Sequence, residues 1–346
     1  KFLNPGKHYV YNNFDREFEI KKNNFKLTAS LAKGGLSNIW GGGIQPFNST
    51  DIDEYPYGIE DINFLYRKMY KLITDSDDMT DLNKEINDSK KVDIYNKKIT
   101  FLKSLFASKK SACFDKACKL PSCKIGCVNC NKGIFNSATE IDKLVKQGKI
   151  TYFPNRLIES IERLENGYVV NCRITDTKEY ISYTSTNIFC SLGTISTTKI
   201  ILEMQKDDKD LKLLTTPMAR FFIFSLKKSN INSSSIIDAL TFKIYNGDFV
   251  TGNIFPITRN LIETMLNKNI SKYILKIFAS FPIPYFYVGN IFFPSNFSSN
   301  SFGIKKGILE IQSYKSDELI KKYSSTIKQI KKEFKSEGYY VIPFTC

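Results

Sequence analysis

Five of the chain's 18 glycines and its only tryptophan fall between Ala29 and Phe47, in the run Ala-Ser-Leu-Ala-Lys-Gly-Gly-Leu-Ser-Asn-Ile-Trp-Gly-Gly-Gly-Ile-Gln-Pro-Phe. That density needs a structural cause. Gly34, Gly35, Gly41, Gly42 and Gly43 are able to take positive φ and to let main-chain N–H groups approach a ligand without a Cβ in the way. Such a backbone suits a phosphate or a flat ring. Trp40, between the two glycine clusters, is placed to wall such a site. The residues alone leave open a second reading, a surface loop of tight turns.

Length and charge set independent bounds. At 346 residues the chain exceeds a usual single core, so two domains, or one large domain with insertions, are expected. An apolar content of 42% is enough for a packed interior. The formal charge is +15, yet only seven of the 50 basic residues are arginine, and the lysines are scattered. A nucleic-acid face would show Arg and Lys clustered with interleaved aromatics, so the lysines read as solvated faces and no nucleic-acid partner is expected.

The stretch Ile277 to Pro294 is uncharged but holds Pro282, Pro284, Gly289, Asn290 and Pro294. It reads as a buried strand rather than a membrane span. The chain starts at Lys1 with no apolar signal region, and the expected compartment is the cytoplasm.

Residue patterning predicts an α/β (α+β) fold. Ile59, Ile62, Leu65, Tyr66, Met69, Leu72 and Ile73 recur at helical spacing behind Glu60 and Asp61. Ser137 and Glu140 form a capping box for a helix with Ile141, Leu144 and Val145 on its apolar stripe, and Gly148 stops it. Strands are expected at Ile150 to Phe153 and Asn187 to Leu192, with a hairpin from Tyr168–Ile174 and Tyr180–Tyr183.

Beyond residue 215 the β-prone runs Phe221–Leu226, Thr241–Tyr245, Tyr285–Phe293 and Gly307–Gln312 predict a second sheet. It is closed by a helix whose face carries Leu319, Ile320, Tyr323, Ile327, Ile330 and Phe334. Lys84 to Lys110 is a charged surface insertion.

Cys113, Cys118, Cys123, Cys127 and Cys130 crowd into 18 residues, while Cys172, Cys190 and Cys346 are dispersed. Spacings of two to four suit a tetrahedral zinc site, with Cys118, Cys123, Cys127 and Cys130 as candidate ligands. Cys123-x3-Cys127-x2-Cys130 resembles the iron-sulfur motif of radical S-adenosylmethionine enzymes, although Asn129 stands where an aromatic precedes the last cysteine. Structural thiols or disulfides are equally open at this point. The sole histidine, His8, excludes multi-histidine metal sites and reads as a surface or loop residue, so no catalytic residue is nominated.

The order of three blocks carries a family resemblance. Lys33-Gly-Gly-Leu-Ser-Asn-Ile-Trp-Gly-Gly-Gly43, followed by Pro46-Phe47 and Asp51-Ile-Asp-Glu-Tyr-Pro, resembles the flavin-contacting loop of glucose-methanol-choline oxidoreductases. Gly126 to Thr139 is similar to a Cys-rich segment that some branches of that family place before a helix. Asn187 to Leu202 is similar to the strand, glycine turn and helix that return the chain to the flavin domain.

The resemblance implies a partial FAD-binding Rossmann-like domain from 1–58 and 131–205, a helical and Cys-rich insertion at 59–130, and an antiparallel-sheet substrate domain at 206–346. It implies that Gly34, Gly35, Ser37, Asn38, Trp40, Gly41 and Gly42 lie along the flavin and its pyrophosphate. Ile158 takes the place of a Val whose main chain meets the adenine, and Gly193 marks the turn back to the cofactor. The implied activity is hydride transfer from an alcohol or sugar-like small molecule to FAD.

No G-x-G-x-x-G follows a strand, and no histidine follows Glu337-Gly-Tyr-Tyr-Val-Ile-Pro-Phe344 where the family places its catalytic base. The chain is therefore expected to be an incomplete flavoprotein. An iron-sulfur or radical enzyme using Cys123, Cys127 and Cys130, and a non-catalytic remnant or binding protein, are the two other classes.

Overall fold

A computed structural model of the chain describes residues 17, 20–25, 27–38, 40, 43–44, 46, 58–80, 82–83, 100–103, 105–106, 135–206, 210–225, 240–245, 249–256, 286–305, 307–314, 316–336 and 338–344. The first strands are β1 (Ile20–Asn23), β2 (Gly43–Ile44), β3 (Thr100–Lys103) and β4 (Leu105–Phe106), with helix α1 (Ile59–Thr74) between β2 and β3. Helix α2 (Ser137–Lys146) then leads into β5 (Arg156–Leu164), β6 (Gly167–Ile174), β7 (Tyr180–Ser185) and α3 (Thr194–Gln205). After these come β8 (Leu211–Leu213), β9 (Met218–Ser225), β10 (Leu240–Tyr245), β11 (Phe249–Pro256) and β12 (Phe286–Phe292). The chain closes with β13 (Asn300–Lys305), β14 (Ile308–Ser313), α4 (Asp317–Ser336) and β15 (Tyr339–Phe344).

These elements give the mixed α and β class expected from the sequence, built on antiparallel sheets. The largest is six-stranded in the order β15-β9-β12-β11-β10-β3, and every neighbouring pair in it is antiparallel. A four-stranded sheet runs β1-β14-β13-β8, with β1 and β14 parallel. Smaller sheets pair β5-β6-β7 and β2-β4. Strands from both sides of residue 205 thus share sheets: β3 lies at the edge of the largest, and β1 at the edge of the second.

The largest sheet buries one face under α4. Ser316 caps that helix by accepting from the Leu319 N–H at 3.1 Å, and Asp317 and Glu318 sit at its positive end. Gly338, at φ +81°, turns the chain out of the helix. Ile327, Ile330 and Phe334 insert against Phe221, Ile223, Phe242, Ile244, Val250 and Ile291. Ile320, expected on the same stripe, is 56% exposed, because the apolar arc in contact with the sheet is narrower than the sequence spacing suggests.

At the centre of this core the rings of Phe221, Phe242 and Phe334 form a mutual edge-to-face trio. Their centroids lie 6.2, 6.1 and 5.9 Å apart. The trio fits because Phe221 pairs with Gly289 and Phe242 pairs with Gly252 across the strands, so each ring lies over a residue with no side chain.

The first half of the chain departs from its sequence pattern in four places. In α1 the buried apolar residues are Ile62 and Tyr70, joined by Thr74, whereas Leu65, Met69 and Leu72 are exposed. Helix α2 begins one residue earlier than the expected capping box implies. Asn136 is the cap, accepting from the Ala138 N–H at 2.8 Å, and Ser137 is already helical.

No strand forms at 150–153 or at 187–192. Ile150, Tyr152 and Phe153 are exposed and Phe189 is 94% exposed, since neither segment has a strand partner among the described residues. The hairpin at β6 and β7 forms as expected, and β5 adds a third strand with Leu157 and Ile161 turned inward.

A bulge between Ile158 and Ser160 leaves Glu159 without a paired residue on β6. Its carboxylate instead accepts from Arg173 Nε, while Arg173 Nη2 donates to Glu17 at 2.8 Å. This arginine ties the segment before β1 to the β5-β6-β7 sheet. The guanidinium holds the Glu17 carboxyl below its usual 4.5, with burial opposing and Lys178 assisting. A depressed carboxyl stabilises the fold above its unfolded value and loses that contribution as pH falls through its folded value. Stability should therefore drop as the medium is acidified below about pH 4.5, and Glu17→Gln should remove part of that dependence. Urea midpoints at pH 7 and at acid pH, compared between the two proteins, measure it.

Candidate functional site

The glycine-rich run is held by its own side chains. Gly34 and Gly35 adopt φ of +82° and +54°, leading into a single 3-10 turn over Gly35–Asn38. Asn38 closes that turn, its amide donating to the Lys33 carbonyl at 2.9 Å and the Gly35 carbonyl at 2.8 Å. Gly35 N–H donates to the Ala32 carbonyl at 2.8 Å.

This turn is seated on the N-terminus of α2. The Ser137 N–H donates to Ser37 Oγ at 3.1 Å, and the two serine hydroxyls lie 2.6 Å apart. Asn136 Nδ2 donates to Asn38 Oδ1 at 3.1 Å, and Trp40 Nε1 donates to the Phe135 carbonyl at 2.9 Å. Lys33 pairs with Asp142 at 2.6 Å one turn further along and lies over the Tyr152 ring. A β-carbon on Gly34 would sit 2.6 Å from the Ala138 nitrogen. Only glycine brings the loop this close to the helix.

Five residues nominated from the sequence, Gly34, Gly35, Ser37, Asn38 and Trp40, are thus brought together in one loop. Ser37, Asn38 and Trp40 direct their polar groups to 135–138, so their part is to position the loop. Gly41 and Gly42 lie outside the described residues. The partners Phe135, Asn136, Ser137 and Ala138 were not nominated, although Asn-Ser ahead of an apolar stripe is a cap signal that could have found Asn136.

Gly193 stands at a second helix entrance. At φ +85° it is the N-cap of α3, it offers no side chain to that helix, and a β-carbon there would meet open space. Gly35 has the same open space above it. These two positions fit a phosphate-bearing cofactor: positive φ, unobstructed backbone and, at Gly193, the positive end of a helix of 12 residues. Ile158 sits half-buried on β5 beside the bulge, paired with Cys172.

The cysteine cluster, Cys118, Cys123, Cys127 and Cys130 with Cys113, lies outside the described residues, as does His8. Of the described cysteines, Cys172 is buried, which pushes its thiol up from the usual value, and Cys190 is exposed. Among the described residues no group of three His, Cys, Asp or Glu side chains is arranged to hold a metal ion. None of the described helices is long and apolar enough to cross a membrane. The uncharged stretch Ile277 to Pro294, expected to be a buried strand, contains β12.

No protein-family model matches this chain, and no curated protein matches it significantly.

Proposed function

We propose that the chain is the flavin-contacting portion of an FAD-dependent oxidoreductase of the glucose-methanol-choline type, acting on a CH–OH group of an alcohol or sugar-like small molecule. The observation that carries this reading is the seating of the Gly34–Asn38 turn on the entrance of α2. It is followed in chain order by the β5-β6-β7 sheet and the open Gly193 turn into α3.

On this reading Gly193 gives the pyrophosphate access to main-chain N–H groups at the α3 entrance, Gly35 leaves open space beside the loop, Ser37, Asn38 and Trp40 hold the loop in place, and the Ile158 main chain meets the adenine. The flavin, when bound, supplies the hydride acceptor, and the protein orients it. The partial Rossmann-like organisation of 1–58 and 131–205 belongs to the same proposal.

Trp40 is the only tryptophan, so its emission reports this loop alone. Titration with FAD should quench it saturably, with half-effect below about 100 μM, an affinity of roughly 5–6 kcal/mol. Gly193→Val should weaken the effect at least tenfold. Absence of saturable quenching up to about 1 mM FAD would remove the flavin reading.

A further inference from the structure

The face of the largest sheet that turns away from α4 carries a row of polar residues running across the strands. Arg220 on β9 pairs with Asn290 on β12, Asn290 with Asn253 on β11, and Asn253 with Thr241 on β10. The row is wired in one direction. Arg220 Nε donates to Asn290 Oδ1 at 3.0 Å, and Asn290 Nδ2 donates to Asn253 Oδ1 at 2.9 Å.

Burial changes along the row. Arg220 is exposed, whereas Asn290 is 9% and Thr241 is 4% exposed. At strand spacings of about 4.8 Å the row covers on the order of 14 Å.

Two features separate this row from an ordinary solvated face. A buried amide pair needs a reason, because apolar residues would fill the sheet face at lower desolvation cost. The guanidinium is also held through Nε by Asn290 Oδ1, on a residue that stays exposed. Among the described residues no carboxylate pairs with it. An exposed guanidinium held through Nε, with no carboxylate partner among the described residues, suits the chemistry of a carboxylate or phosphate.

We propose that this row is an anion-recognition subsite. In it Arg220 takes the oxyanion of a small ligand, and the Asn290–Asn253 amide pair behind it holds the guanidinium in place. The site lies on a different sheet from the glycine-rich loop and stands without the flavin reading.

Inorganic phosphate is the probe. The chain has seven arginines, so the Arg220 Nε–Hε resonance of the isotope-labelled full chain is assignable by substitution. Phosphate should shift that resonance and the Asn290 and Asn253 side-chain amide resonances saturably. Asn290→Asp keeps an acceptor for Arg220 Nε, lets the Asn253 amide turn to donate, and sets a negative charge beside the guanidinium. It should weaken phosphate binding at least tenfold while the thermal midpoint stays within a few degrees. Arg220→Gln, at an exposed position, should abolish the amide shifts without unfolding the sheet. An unshifted or non-saturating Arg220 resonance, or amide shifts that persist in Arg220→Gln, would overturn the proposal.

Discussion

Replacing Gly252 with alanine should destabilise the fold by about 3 kcal/mol, the upper end of ordinary overpacking. A β-carbon at Gly252 would fall 2.0 Å from Phe242 Cζ and 2.5 Å from the Asn290 carbonyl oxygen. The ring has no room to withdraw, because Phe221 and Phe334 close around it and all three are buried to 1% exposure or less. The carbonyl is main chain of the neighbouring strand, so relief there requires the sheet itself to shift. Adding Phe242→Leu should therefore recover only part of the loss. Denaturant midpoints with unchanged slope for the single and double variants measure this. A Gly252→Ala midpoint equal to that of the parent would show that the ring stack is not the constraint described here.

Gly34→Ala is the second large effect, and it is local. The substitution meets two obstacles: a φ of +82° that disfavours any β-carbon, and the Ala138 nitrogen and β-carbon at 2.6 and 2.8 Å. Both are main-chain or short-side-chain atoms at the start of α2, so the loop must lift away. The Ser37–Ser137 and Asn38–Asn136 bonds go with it. A cost of about 2–3 kcal/mol to the loop-helix contact is expected. Trp40 should lose its bond to the Phe135 carbonyl, shift its emission to the red and become more accessible to iodide. Gly35→Ala is the control: at φ +54° with nothing within 4 Å it meets backbone strain alone, about 1 kcal/mol. Equal effects from the two variants would assign the cost to φ rather than to packing on α2.

Legibility in the sequence followed the range of the forces involved. The hairpin of β6 and β7, the helices α1, α2 and α4, and the strands β9, β10, β12 and β14 were readable because turn chemistry and hydrophobic period are written within a few residues, whereas β11, β13 and β15 were not expected. The expected strands at 150–153 and 187–192 were not realised, because a strand needs a hydrogen-bonded neighbour and local propensity does not supply one.

The glycine-rich loop was visible as a loop, but its docking on Phe135–Ala138 was not, since that contact joins residues about a hundred apart through single hydrogen bonds. The polar row across β9, β12, β11 and β10 was equally hidden. Arg220, Asn253 and Asn290 lie in separate runs, and only the strand register sets them side by side.

The parallel pairing of β1 with β14 ties Ile20 to Leu309. During synthesis β1 must wait for its neighbour while the chain from Ile20 on to Leu309 is made, on the order of tens of seconds at translation speeds of about 5–20 residues per second. Through that interval the edge offered by Ile20–Asn23 has no native mate. Three of its four residues, Lys21, Lys22 and Asn23, are polar and exposed in the finished fold, a composition that discourages premature strand addition by other chains. The slowest step of folding is therefore expected to be closure of this sheet, paced by the ribosome in the cell and by a long loop search in the test tube.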